Sequence, residues 1–186
     1  MCGRRETGRE RGLTLLEQIL FIVIIGIAAA GIVSVIGYAT RASVDPMIQK
    51  QALSIAEALL EEAQLMPFTY CDPDDPNAAG ADSAAACATA EGIGAEGGES
   101  RTVGPLYFDN VSDYHGLAVS PVSDIAGNAI AGLSGYAATI TVANQGYGGV
   151  PAADALLITV TVTHPNLDPS ISLHGYRVRY APNALP

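Results

Sequence analysis

Three regimes of apolar spacing divide this chain of 186 residues. From Ile19 to Tyr38 the residues are apolar or small, with Ser34 the only hydroxyl before Tyr38. Twenty such residues at 1.5 Å rise give about 30 Å, one hydrocarbon thickness. From Ile48 onward the run becomes periodic. Ile48, Ala52, Ile55, Leu59, Ala63 and Met66 recur at intervals of three and four, while Gln49, Lys50, Glu57, Glu61, Glu62 and Gln64 fall mostly off that stripe. This is one face of an amphipathic helix. Asp45-Pro46 predicts a kink between the two parts, because proline removes a ladder hydrogen bond and disfavours helix at the residue before it. Pro67 ends the run. The pattern predicts a helix from Thr14 to Met66, some 50 residues and ~75 Å long.

Farther along, the period drops to two. Tyr136, Ala138, Ile140 and Val142 alternate with Ala137, Thr139 and Thr141, and Leu156, Ile158, Val160 and Val162 alternate with threonines. Both read as strands with one apolar face. In Ile171 to Tyr180 the phase slips: Ile171 and Leu173 share one parity, Tyr176, Val178 and Tyr180 the other. Gly175 sits at the slip, where a β-bulge would restore a common face. A shorter strand is expected at Val103 to Phe108. The segments 144–154 and 165–169 hold the Gly, Pro, Asn and Asp of hairpin loops. The fold class expected is α+β: a long N-terminal helix, its first half transmembrane, packed on a three- to four-stranded antiparallel sheet.

Between these regimes the chain is rich in Ala and Gly, with seven acidic and no basic residues from Asp72 to Ser100. Such a stretch lacks the large apolar side chains that offset ordering entropy, so an irregular loop is expected. The resulting division is a leader at 1–12, an apolar helix half at 13–40, an amphipathic half at 41–66, an acidic loop at 67–105 and a β head at 106–186.

The start of the helix carries the most specific chemistry. The leader holds Arg4, Arg5, Arg9 and Arg11 against Glu6 and Glu10, a net of about +2, and it precedes the apolar run. Positive residues favour the cytoplasmic side, which puts the amino terminus inside and the rest of the chain outside. Glu17 lies just within the apolar run, where a lone carboxylate is costly in a bilayer. A secretory signal has a shorter apolar region with its cleavage site after it. Here the candidate cut, after Gly12, lies before the apolar run. The α-amino group released there would be a partner for Glu17.

Gly12-Leu13-Thr14-Leu15-Leu16-Glu17, with its basic leader and following apolar run, resembles the processing signal of the type IV pilin and pseudopilin family. The resemblance implies cleavage after Gly12 by an inner-membrane prepilin peptidase and methylation of the new first residue, Leu13. It makes Glu17 the assembly glutamate that neutralises a neighbouring subunit's amino terminus. Leu13 stands where phenylalanine is commoner. The stretch Gly31-Ile32-Val33-Ser34-Val35 lacks the proline usual in major pilins, which favours a minor pilin or pseudopilin. Tyr107-Phe108-Asp109-Asn110-Val111-Ser112-Asp113-Tyr114-His115-Gly116, the strand at Ile158-Thr159-Val160-Thr161-Val162, and Gly175-Tyr176-Arg177 resemble the MshD-type minor pilins of mannose-sensitive haemagglutinin pili. The implied function is a structural subunit of a pilus. Its implied partners are other pilins, the prepilin peptidase and the inner-membrane assembly machinery. The implied location is the bacterial inner membrane, with the head periplasmic, and then the cell-surface pilus. A minor pseudopilin of a type II secretion system, or a tip subunit whose head binds a glycan through tyrosines such as Tyr107, Tyr114, Tyr136 or Tyr147, are the alternatives. A signal anchor holding an unrelated exported domain is the less specific alternative for residues 1–40, against which the Gly-Leu-Thr-Leu-Leu-Glu signature weighs.

Charge and cysteines narrow the rest. Without the leader, five basic and seventeen acidic residues remain, a net near −12. That surface repels nucleic acid, so no nucleic-acid partner is expected. Cys2 would leave with the leader, and Cys71 and Cys87 most simply form one disulfide in an oxidising compartment. The alternatives are two free thiols or, with no second ligand pair nearby, a zinc site. Asp72-Pro73-Asp74-Asp75-Pro76-Asn77 resembles a calcium loop only loosely, because Pro76 occupies a ligand position; an acidic turn is the better reading, and no metal is assigned. His115, His164 and His174 have no zincin spacing, and the sequence has neither a phosphate loop nor a Gly-x-Ser-x-Gly elbow. No enzyme activity and no cofactor are expected. Asp109, Asp113, Tyr114 and His115 form a polar cluster that turn chemistry explains, and Asn110-Val111-Ser112 matches a glycosylation sequon of a kind common by chance.

Overall fold

A computed structural model describes residues 14–185. One helix, α1 (Leu15–Leu65), is followed by four strands, β1 (Ala118–Val119), β2 (Ala137–Asn144), β3 (Ala155–Thr163) and β4 (Ile171–Val178). The strands form one antiparallel sheet in chain order, β1-β2-β3-β4. The chain divides into two compact units at Val44/Asp45. Pro46 lies within α1.

In the first unit, Leu15–Tyr38 is long and apolar enough to cross a membrane, with a mean hydropathy of 3.0 and nothing in its most apolar window buried within the protein. In the second unit α1 becomes amphipathic. Ile48, Ala52, Ile55, Leu59 and Ala63 are buried, joined by Ala56, while Met66 packs half-buried at the edge. These side chains share one core with the inner face of the sheet. The register explains the match. Ala138 faces Val162 and then Ile171; Ile140 faces Val160 and then Leu173; Val142 faces Ile158 and then Gly175. Each large aliphatic side chain buried in these rows contributes about 1.5–3 kcal/mol. On the outer face Thr139, Thr161 and Ser172 line up, as do Thr141, Thr159 and His174. Hydroxyl contacts tie them across strands: Thr161 Oγ1 to Ser172 Oγ at 2.9 Å, and Thr159 Oγ1 to His174 Nδ1 at 2.9 Å.

Two expectations fail. No bulge interrupts β4, which pairs with β3 one to one from Ala155↔Val178 to Val162↔Ile171. Gly175 lies instead where side chains of α1 approach the strand. A Cβ there would crowd the side-chain ends of Gln64 and Leu60, which would have to shift to admit it. The slipped parity is real but has another destination, since Tyr176 is paired with Leu157 on the opposite face and stacks on Tyr147 at 4.4 Å. The expected strand at Val103 to Phe108 is also absent. That segment folds back on Ser100, whose Oγ accepts from Thr102 N–H and Val103 N–H at 3.3 Å each. Ser100 N–H donates to Leu106 O, and Phe108 N–H donates to Ser100 O. Pro105 within it has no N–H to give a ladder. The fourth strand is β1, at the sheet edge opposite β4 and only two residues long.

Candidate functional site

Gly12 and Leu13 lie outside the described residues. Thr14 and Glu17 are within them. Thr14 O accepts from Glu17 N–H at 3.0 Å and Gln18 N–H at 3.1 Å, and Thr14 Oγ1 lies 3.3 Å from the same Glu17 nitrogen as a second acceptor. Thr14 thus caps α1, and Glu17 sits three residues on, at capping-box spacing. Its carboxylate is in the first turn, where the helix dipole favours negative charge. Glu17 therefore has a local reason for its position, visible in the Thr-x-x-Glu spacing, that the reading of it as a partner for an amine alone overlooked. Its side chain is exposed, free to meet a group from outside the chain.

The loop after α1 is ordered by polar fasteners. Cys71 and Cys87 are disulfide-bonded, with Cα atoms 5.4 Å apart. Asp74 N–H donates to Asp72 Oδ1 at 2.8 Å, Asn77 N–H donates to Asp75 Oδ1 at 2.7 Å, and Thr89 N–H donates to Asp75 Oδ2. The bonds from Thr89 and Asn77 hold the Asp75 carboxyl below its ordinary range. The bonds from Asp74 and Asn77 are turn contacts, and the bond from Thr89 joins segments 14 residues apart. Arg179 lies over the rings of Phe68 and Tyr70, 3.9 Å and 4.4 Å from their centroids, and donates to Thr69 O and Ala153 O. Asn183 Nδ2 donates to Ala78 O and Ala81 O. At the loop's far end Arg101 grips Glu62 of α1 in a two-pronged pair, Nε to Oε1 at 2.7 Å and Nη2 to Oε2 at 2.8 Å. Tyr114 Oη also donates to Glu62 Oε1, at 3.0 Å. Burial and then the Glu62 charge raise the Tyr114 phenol far above its usual range.

Asp109, Asp113, Tyr114 and His115 come together around the 3₁₀ turn Val111–Tyr114. Asp113 Oδ2 accepts from Asn110 N–H at 2.7 Å and Asp109 N–H at 3.0 Å, while Asn110 Oδ1 accepts from Ser112 N–H at 3.5 Å. His115 Nδ1 accepts from Val142 N–H at 3.1 Å, tying the turn to β2. Asn110 is fully buried and donates through Nδ2 to Thr69 Oγ1 at 2.6 Å, so the sequon is closed to glycosylation in the folded chain.

A second acidic group was invisible in the sequence. An oxygen from each of Glu91, Glu96 and Asp113 lies within 4.8 Å of the other two, and Asp72, Glu99 and Asp109 form a similar trio. Burial, with Asp113, Glu96 and Asp72 adding repulsion, pushes Glu91 up to about 9 against the hydrogen bond from Ser112. Burial likewise pushes Asp113 to about 8, opposed by the Asn110 and Asp109 N–H groups and reinforced by Glu99 and Glu96. Asp109 rises to about 7 through burial and then Glu99, Asp72, Asp74 and Glu96.

Of the tyrosines proposed for a glycan groove, Tyr107 and Tyr114 line one pocket of about 410 Å³ together with Phe108, Met66 and Arg101, and Tyr136 and Tyr147 are not part of its lining. Tyr114 and Tyr136 are buried; Tyr136 Oη is spent on Gln51 Oε1 at 2.7 Å. Tyr107 and Tyr147 are exposed. A groove of about 550 Å³ beside α1 is lined by Lys50, Ile55, Leu59, Val122 and Leu133 among others, with no aromatic side chain. Comparison of the chain with protein-family models, with curated proteins and with solved structures returned no match.

Proposed function

We propose that this chain is a minor type IV pilin, a structural subunit rather than an enzyme, made as a precursor and matured by cleavage after Gly12. The observation that carries the reading is Gly12-Leu13-Thr14-Leu15-Leu16-Glu17 placed against Leu15–Tyr38, a span able to cross a bilayer. Support comes from the helix beginning at a capped Thr14, with the Glu17 carboxylate exposed one turn inside it. An exposed anion at the cytoplasmic edge of a span is costly in lipid unless a cation meets it. A free amino terminus one turn away on an adjacent subunit meets that need. The partners are then other pilins, the prepilin peptidase and the inner-membrane assembly machinery, and the mature protein moves from the inner membrane to a surface pilus.

The pilin-like layout fits this assignment, since an apolar helix half is available to pack with other subunits while an amphipathic half supports a head. The missing proline in Gly31–Val35 favours a minor subunit, and a minor pseudopilin of a type II secretion system shares that trait. The genes beside this one separate the two.

Amino-terminal mass analysis of the membrane-associated protein tests the proposal. A methylated Leu13 as first residue is the expected result; an intact leader, or maturation at another bond, overturns it. Glu17→Ala should leave maturation intact and exclude the subunit from filaments.

A further inference from the structure

We propose that Glu91, Glu96 and Asp113 form a binding site for a divalent cation, with calcium the ion that suits the donors. The site lies wholly within the second unit and does not depend on the filament reading.

The decisive feature is a buried oxygen without a partner. Asp113 is 1% exposed; its Oδ2 takes two backbone N–H bonds, while its Oδ1 is buried and accepts nothing. Glu91 repeats the pattern: Oε1 accepts from Ser112 Oγ at 2.6 Å, and Oε2 is buried without a partner. Glu96 Oε1 accepts from Gly92 N–H at 3.0 Å. Two neighbouring carboxyl groups thus each keep one oxygen unused in a buried place, where an unmet acceptor is costly. A cation satisfies both at once.

The nearby cations do not fill this role. Arg179 feels the Glu91 charge but forms no ion pair with it: Nη1 and Nη2 donate to Thr69 O and Ala153 O, and the buried Nε, which has no hydrogen-bond partner, lies 3.5 Å from Asp154 Oδ1. Arg101 is held by Glu62. Among the described residues no ion pair reaches the triad.

Donor type and spacing select the ion. All three donors are carboxylate oxygens, which suit calcium or magnesium rather than zinc. Oxygens within 4.8 Å of one another can share one ion at calcium's bond lengths of about 2.3–2.6 Å without rebuilding the loop. Magnesium needs about 2.0–2.1 Å and a near-ideal octahedron, which three carboxylates from separate points of an irregular loop and a 3₁₀ turn provide less readily. The segment carrying Glu91 and Glu96 contains Gly94, Gly97 and Gly98, all at positive φ, so it can adjust to a calcium shell completed by water.

The test uses the full chain in detergent micelles, stripped with EDTA and titrated with calcium chloride by calorimetry, with thermal melts alongside. One saturable site is expected, with a Kd of about 10⁻⁴–10⁻³ M and a matching rise in Tm. Glu96→Gln keeps the acceptor for Gly92 N–H and sits on a half-buried loop, so it folds; it should weaken calcium at least about tenfold. Asp72→Asn, in the neighbouring trio, should change affinity less than about threefold. The proposal fails if the folded wild-type chain shows no saturation up to about 10 mM calcium. It fails equally if Glu96→Gln binds as wild type does, or if Asp72→Asn weakens binding more than Glu96→Gln, which places the ion elsewhere. Magnesium binding as tightly as calcium overturns the choice of ion.

Discussion

Replacing Glu62 by Met should destabilise the head far more than replacing its partner Arg101. The pair is two-pronged and mostly out of solvent, with side-chain exposures of 6% for Arg101 and 19% for Glu62. In Glu62→Met the guanidinium stays buried against two carbonyls, Ser123 O at 3.4 Å and Asp124 O at 3.2 Å, with no anion, and Tyr114 Oη loses its acceptor. Removing one partner of a buried pair costs about 3–5 kcal/mol. Arg101→Met leaves Glu62 nearer to water and still hydrogen-bonded to Tyr114, so its cost should be about 1–3 kcal/mol. The double replacement removes both charges and should cost less than the two single costs added, with a coupling of about 2 kcal/mol. For a unit of this size each kcal/mol moves Tm by about 4 °C, so Glu62→Met should melt roughly 12–20 °C early. Melting followed by near-ultraviolet tyrosine dichroism reads all three variants and the wild type. Additive losses, or a Glu62→Met loss under about 1 kcal/mol, would refute the claim that this pair clamps the loop to α1.

Other consequences follow from single contacts. Gly175→Ala forces Gln64 to give up its 3.4 Å bond to Tyr176 O and presses on Leu60, and should cost about 1–3 kcal/mol in urea unfolding; Gln64→Ala in the same chain should recover part of it. Reduction of Cys71–Cys87 releases a sequence separation of 16 and should lower stability by about 3 kcal/mol in the chain-entropy model, so an unchanged melt would argue against that contribution. In EDTA the head should lose stability as pH rises from about 4 to about 9. The folded values of Glu91, Asp109 and Asp113 are raised, so in that window the folded chain holds protons that the unfolded chain has released. The lowered Asp75 acts oppositely, its contribution fading as pH falls below about 4. A Tm that climbs between pH 5 and pH 9 would contradict this assignment.

What could be read in the sequence was whatever has a local period. The stripe from Ile48 to Ala63 and the alternation of β2 and β3 are set by helix and strand geometry, and each face appears in consecutive residues. β1 escaped because two residues, Ala118 and Val119, contain no alternation to detect. Gly175 was legible as an exception but not as to its cause: a phase slip looks the same whether a residue is inserted or a helix presses on the strand. Arg101 and Glu62 are separated by 39 positions, and nothing in either neighbourhood announces the other. The Glu91, Glu96 and Asp113 trio has the same character, since its third member arrives from a different turn.

The acidic loop was expected to be irregular because it lacks large apolar side chains, and the reason it is nonetheless ordered is informative. Its own apolar cluster is small, Cys71, Ala78 and Ala81, with Tyr70 and Cys87 against it. Fixing each backbone residue costs about 1–2 kcal/mol, which that cluster cannot offset. The difference comes from the disulfide, which closes the loop on itself, and from contacts that tie it to the rest of the fold: the Arg101 clamp on α1, and Arg179 and Asn183 reaching from beyond β4. Each is polar or covalent and each joins residues far apart in sequence. Order in this segment is therefore borrowed from the helix–sheet core. Glu91 Oε2 in the loop, Asp113 Oδ1 beside it and Arg179 Nε are the buried atoms of that arrangement which no hydrogen bond within the described residues completes.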